Sequence, residues 1–128
     1  MTYMKIRIPR SIQYAVIPKL ILSRIARDYL YDPETIEDIK IAIHEVCCAV
    51  FGNGPQKDSP DSSTIISLLI LTGSIFIVIE KECHHEFVTP TPNKLEFHKL
   101  IVKTLMDTVS WTDTQYKTRV IMMKARSL

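Results

Sequence analysis

Apolar positions along this chain follow two periods, and the changes between them mark out the elements. Thr2–Ile8 reads as a first strand, closed by Pro9-Arg10-Ser11. From Ile12 to Leu30 the spacing turns helical: Ile17, Ile21 and Ile25 share one stripe, and Leu20, Leu22 and Tyr29 broaden it. Arg24, Arg27 and Asp28 fit the wet face, and Pro18 belongs in the first turn or at a break, because proline disrupts a helix interior. Asp32-Pro33-Glu34 is a helix start: a capping acid, proline at the first helical position, then a carboxylate near the positive end of the dipole. The helix it opens carries Ile36, Ile39, Ile43, Val46 and Val50 at spacings of three and four, which is one buried face. Gly52-Asn53-Gly54-Pro55 ends it.

A polar loop over Gln56–Ser63 precedes two β-branched runs, Thr64–Thr72 and Ser74–Lys81, joined at Thr72-Gly73-Ser74 as a hairpin. The unbroken Ile75-Phe76-Ile77-Val78-Ile79 predicts a central strand covered on both faces or paired with a partner. Cys83–Asn93 is irregular, with Pro90 and Pro92 inside it. Leu95–Val109 returns to helical spacing through Phe97, Ile101, Leu105 and Val109. A polar turn at Asp113–Lys117 leads to a last strand, Arg119–Lys124. The order is strand, two helices, two strands, helix, and one or two strands. The expected fold is an α+β two-layer sandwich, a mostly antiparallel mixed sheet with about three helices on one face.

Composition narrows the function classes. A chain of 128 residues makes one domain, 1–128, with a real core. A net charge of +2 gives no strong attraction to nucleic acid or an anionic membrane. The apolar runs at Ile65–Leu71 and Ile75–Ile79 are strand-length, well short of a membrane span, and Met1-Thr2-Tyr3-Met4-Lys5 does not open a signal peptide. Three cysteines cannot all pair, so a reduced, cytoplasmic setting is expected. There are only three glycines, Gly52, Gly54 and Gly73, few for a chain that must bring backbone close to a triphosphate.

The stretch Ile36–Val50 resembles the D-I-K-x-A-V-x-E-A-x-x-N-A helix of the anti-sigma-factor serine kinases of bacteria, members of the histidine-kinase-like ATPase superfamily. Leu100–Val109 resembles that family's L-x-I-I-x-x-L-M-D-E-V, and Thr118–Lys124 its closing G-T-x-V-x-M-x-K. The resemblance implies that Glu45 corresponds to the glutamate beside the transferred phosphate, the candidate catalytic base. It also implies that Lys19 stands where relatives carry an arginine that contacts the sigma factor or antagonist. The magnesium asparagine, however, is Ala49 here, and the family's H-G pair is met by Asn53-Gly54. The adenine motif D-x-G-x-G falls on Lys81, Cys83 and His85 in one register, or on Glu82, His84 and Glu86 in the other. Glu82 is the residue able to imitate the aspartate, and neither register contains glycine. The two lid glycines fall at Glu96 and His98, and an acid there would repel a triphosphate.

The expectation is therefore a protein-binding regulator, a pseudokinase-like anti-sigma factor without a cofactor, with Glu45, Asn53 and Glu82 as vestiges of the site. Its partner would be a sigma factor or an anti-anti-sigma protein. Lys19 and the exposed side of Ile12–Leu30 would bear the contacts, and relatives imply a homodimer. The alternative is an active serine kinase using ATP and Mg, with Glu45 as base and Glu82 or Asn53 substituting for lost ligands. For Glu45 itself the plainer reading, a charge on the wet side of a helix, is preferred. Cys83-His84-His85-Glu86 with His44 and His98 has no C-x-x-C or H-x-x-x-H spacing, so no metal is expected. Cys47 and Cys48 read as small buried hydrophobes. Lys94, Lys99 and Lys103 read as a solvated face beside Glu96 and Asp107, and Trp111 and Tyr116 as core edges or partner anchors.

Overall fold

A computed structural model of the chain describes residues 1–51, 63–82, 92–114 and 117–126, with the backbone alone for Glu82 and Pro92. Strand β1 (Thr2–Pro9) is followed by a 3-10 turn (Ile12–Ala15), α1 (Val16–Asp28) and α2 (Pro33–Phe51). The hairpin β2 (Ser63–Ile70) and β3 (Ser74–Glu82) comes next, then α3 (Pro92–Leu105), β4 (Thr108–Asp113) and β5 (Lys117–Ala125). The strands form one antiparallel sheet in the order β1-β2-β3-β5-β4. β3 is the central strand, as its unbroken apolar run predicts.

Strand alternation fixes which side chains meet the helices. Ile66, Ile79 and Val120 form one cross-strand row, and Leu68, Ile77 and Met122 the next; all six are fully buried. Against them α2 lays Ile39, Ile43 and Val46, each 0% exposed, as the three-and-four spacing requires. Burying one such side chain contributes about 1.5–3 kcal/mol relative to leaving it in water. The start of α2 is also as read. Asp32 accepts hydrogen bonds from the backbone N–H and the hydroxyl of Thr35, and these bonds hold the Asp32 carboxyl below its usual range.

Three expectations need correction. The core stripe of α1 is not Ile17, Ile21 and Ile25. Ala15, Pro18, Leu22 and Ala26 are buried, Ile21 and Ile25 pack at the edge, and Ile17 and Leu20 face outward at 39% and 62% exposure. Small residues let α1 approach the layer beneath closely, which a count of large aliphatics overlooks. Second, the last helix stops at Leu105, and Val109 lies in β4 rather than in the helix. The chain turns at Asp107, whose backbone N–H donates to Met123 O (3.0 Å) and whose carboxylate accepts the Ala125 N–H (2.6 Å). From there Thr108-Val109-Ser110-Trp111 pairs with β5, a ladder that the continuing i, i+4 spacing concealed. Third, Phe97, expected on the buried stripe of that helix, is 61% exposed.

One helix end carried no sequence signal. α1 closes with Tyr31 N–H on Ala26 O (3.0 Å) and Leu30 N–H on Arg27 O (2.9 Å), a Schellman pair. It places Leu30 in the left-handed region at φ 63°, where glycine is the usual occupant.

Candidate functional site

With Ile39, Ile43 and Val46 fixed on the sheet, α2 must turn Glu45 away from it, toward α3. Glu45 Oε2 lies 2.6 Å from His98 Nδ1, and each side chain is only 19% exposed. The expected wet-face carboxylate is instead largely buried and held by an imidazole 53 positions further along the chain. His98 stands where the family resemblance looked for a lid glycine. A carboxylate at 2.6 Å fixes the imidazole orientation, and the imidazole in turn ties α3 down onto α2. Glu96 is exposed on α3.

The second part of the site is the end of the sheet beneath the last turn of α2. Thr64, Lys81 and Thr118 are register partners there, and each is at most 4% exposed. Lys81 Nζ donates to Val50 O at 2.8 Å. The last carbonyls of a helix lack partners within it and carry the negative end of its dipole, so a lysine is well placed. This buried ammonium stands at one of the two positions where the resemblance sought an aspartate acceptor. Val50 is not its only interaction. Ala49, at the magnesium position, is 4% exposed and offers no oxygen. Asn53, the side chain of Glu82 and the Cys83-His84-His85-Glu86 run lie outside the described residues. Among the described residues, no three His, Cys, Asp or Glu side chains gather as metal ligands.

The cysteines behave as apolar residues. Burial pushes the Cys47 thiol up to about 12, and burial with the Glu45 charge raises Cys48. Cys48 also lines, with Asn93, Lys94, Phe97 and His98, an open cleft of about 560 Å³ between α2 and α3.

Lys19, the partner-binding candidate, sits on α1 with Nζ 3.4 Å from His44 Nδ1. Around it the outward side of the 3-10 turn and α1 shows Ile12, Val16, Ile17 and Leu20, each at least 39% exposed. Four large aliphatics on one short surface are uncommon on a monomer without a binding role. Trp111 packs at the edge of the core, its indole N–H donates to Asp113 Oδ2 (3.1 Å), and Lys99 Nζ lies 5.1 Å from its ring. Tyr116 lies outside the described residues.

The segments that carried the resemblance hold each other together. Lys124 Nζ donates to Leu105 O at 2.7 Å and stands 3.8 Å from Asp38 Oδ2. The D-I-K acid of α2 and the closing lysine of β5 thus meet at the end of α3. They were legible because the architecture needs them, whatever chemistry the chain performs.

No family model and no curated protein matches the chain. Among solved structures, the RsbU and RsbW domains of Rv1364c from Mycobacterium tuberculosis match 99% of it with a TM-score of 0.75. The chain has the histidine-kinase-like ATPase fold. Identity to that structure is 13%, and the chain spans 34% of its length. In this fold the helix bearing Glu45 and the strand bearing Lys81 are neighbours, joined here by the Lys81–Val50 hydrogen bond. Two segments read separately from sequence therefore adjoin. What sequence reasoning missed was the occupant chemistry, His98 on Glu45 and Lys81 on Val50. Neither contact leaves a local motif. No described helix is long and apolar enough to cross a membrane.

Proposed function

We propose that this chain is an anti-sigma-factor-like regulator of the cytoplasm that works by binding a protein, with nucleotide binding lost or much weakened. The observation that carries the reading is the aliphatic surface of Ile12, Val16, Ile17 and Leu20 beside Lys19. It offers an apolar anchor with a cation at its margin, the combination that holds a protein partner with an acidic rim. The partner class, a sigma factor or an anti-anti-sigma protein, comes from the sequence resemblance and from the likeness in fold to a structure that contains an RsbW domain.

Support for weakened nucleotide binding comes from the chain's own residues. Magnesium needs oxygen ligands, and Ala49 supplies none. An adenine amino group needs an acceptor, and Lys81 presents a donor already engaged on Val50. Glu45, the remaining acid, is occupied by His98. These residues do not fit MgATP. The kinase reading retains one supporting observation: a carboxylate–imidazole pair is also the arrangement of a general base.

The test is a titration of the chain with the sigma factors and anti-anti-sigma proteins of its own organism. One of them binds at micromolar strength or better, and the Lys19→Glu/Leu20→Glu double variant weakens it at least tenfold with its far-UV circular dichroism unchanged. Full retention of binding by that variant would rule out the helix surface as the contact.

A further inference from the structure

The cleft between α2 and α3 is used by neither the core nor the partner surface on α1. Its volume, about 560 Å³, is that of a small-molecule site. α3 lines it with Lys94, Phe97 and His98, which spacings of three and four put on one helix face. α2 lines it with Cys48, about one turn beyond Glu45. His98 therefore belongs both to the cleft and to the bridge with Glu45. Asn93 and Lys94 lie in the first turn of α3, and both are exposed.

We infer that this cleft binds a small apolar monoanion, a hydrocarbon body carrying one carboxylate, as a monomer from solution. The body lies against Cys48 and Phe97, and the carboxylate meets Lys94 at the start of α3. The inference rests on the reading that nucleotide binding is weakened, because Cys48 is next to Ala49 and His98 stands at a lid position of the resemblance.

Two observations select this class of ligand. One is the wall. Phe97 is the large side chain of α3 that the core does not claim, 61% exposed yet lining the cleft. Burial, and then the Glu45 charge, raises the Cys48 thiol, so the sulfur stays protonated and presents a soft, neutral surface. Thiol and phenyl offer little hydrogen bonding, and a hydrocarbon asks for none. The other is charge. Lys94 has no ion-pair partner among the described residues. The first turn of α3 holds no acid and carries the positive end of the helix dipole. Glu45, the acid beside the cleft, is engaged by His98, and the exposed Glu96 is not among the lining residues. A single ammonium matches a single carboxylate. A triphosphate would bring more charge and a metal, for which Ala49 supplies no oxygen.

Isothermal titration calorimetry of the full chain with octanoate tests the inference. Wild type binds at a single saturable site with Kd below about 500 μM, an affinity within the range usual for a ligand of this size. Octanol and octylammonium, which share the chain but not the negative charge, bind at least tenfold more weakly. Lys94→Gln weakens octanoate at least fivefold and leaves octanol unchanged, whereas Phe97→Ser weakens both; far-UV circular dichroism of each variant matches wild type. Absence of saturable octanoate binding, octylammonium binding as tightly as octanoate, or unchanged affinity in both variants would each overturn the proposal. A parallel titration with MgATP keeps the two readings apart. Binding of neither ligand overturns this inference alone. Micromolar MgATP that displaces octanoate overturns the nucleotide reading as well and gives the cleft to the nucleotide.

Discussion

Replacing Lys81 isolates what its ammonium does in the core. Lys81 is 1% exposed, and its Nζ is 2.8 Å from Val50 O. Lys81→Met keeps nearly the same stem and removes the donor. The loss of a charged hydrogen bond costs about 1.5–3 kcal/mol, and an orphaned buried carbonyl accounts for most of it. The helix-dipole contribution, up to about 2 kcal/mol in partly buried geometry, overlaps with that figure rather than adding to it. Relief of the buried charge works the other way. The expected net loss is about 1–3 kcal/mol, or a fall in Tm of roughly 3–10 °C for a domain of this size. Lys81→Ala also empties the space of the stem, and the cavity adds about 2 kcal/mol or more. Lys81→Asp, which puts an acid where one of the two registers of the resemblance has aspartate, sets a carboxylate against a carbonyl with no donor between them. It is expected to be the worst of the three, losing more than about 4 kcal/mol. Urea denaturation followed by circular dichroism gives the order Met, Ala, Asp. An Asp variant as stable as wild type would show that the site accepts an acid, and the account of a donor locked onto α2 would be wrong.

Three further outcomes follow from the structure. Leu30→Gly relieves the left-handed strain at an exposed position and raises stability by about 0.5–1.5 kcal/mol, read as a higher urea midpoint. Cys47 is raised to about 12 when folded and titrates near 8.5 when unfolded, so its neutral form favours the native state. Below about pH 8.5 both states hold the proton and the contribution is complete; above it the unfolded state ionises first, and stability falls by up to about 1.4 kcal/mol per pH unit. Cys47→Ala, compared with wild type between about pH 8 and 10, should show the shallower decline. Lys124→Met leaves Leu105 O without its donor and removes the cation beside Asp38, and should cost about 1–3 kcal/mol by thermal melting; no change would strip the closing motif of its structural role.

The regular elements were legible where local chemistry and burial agree. The Asp32-Pro33 start and the five apolar positions of α2 are read correctly because capping and periodicity both act within a few residues. The hairpin at Gly73 is found for the same reason, with Leu71 N–H on Ser74 O closing it at 2.9 Å. The 3-10 turn and α1 mislead because, beside Leu22, their buried positions are Ala15, Pro18 and Ala26, residues too small to stand out in an apolar pattern, while Ile17 and Leu20 are left outside. β4 misleads because Val109 continues a helical spacing that the ladder with β5 overrides. The site divides the same way. Glu45 and Ala49 were legible as positions on a recognisable helix, but the partners of the retained groups come from 53 and 31 residues away. Only folding brings them together.

Isothermal titration calorimetry with MgATP and with MgADP bears most directly on the central idea, that among the described residues Lys81, Ala49 and the Glu45–His98 pair offer a nucleotide no free acceptor and no metal ligand. Millimolar nucleotide should give no binding heat and no melting shift. Saturable binding at micromolar concentration would contradict it.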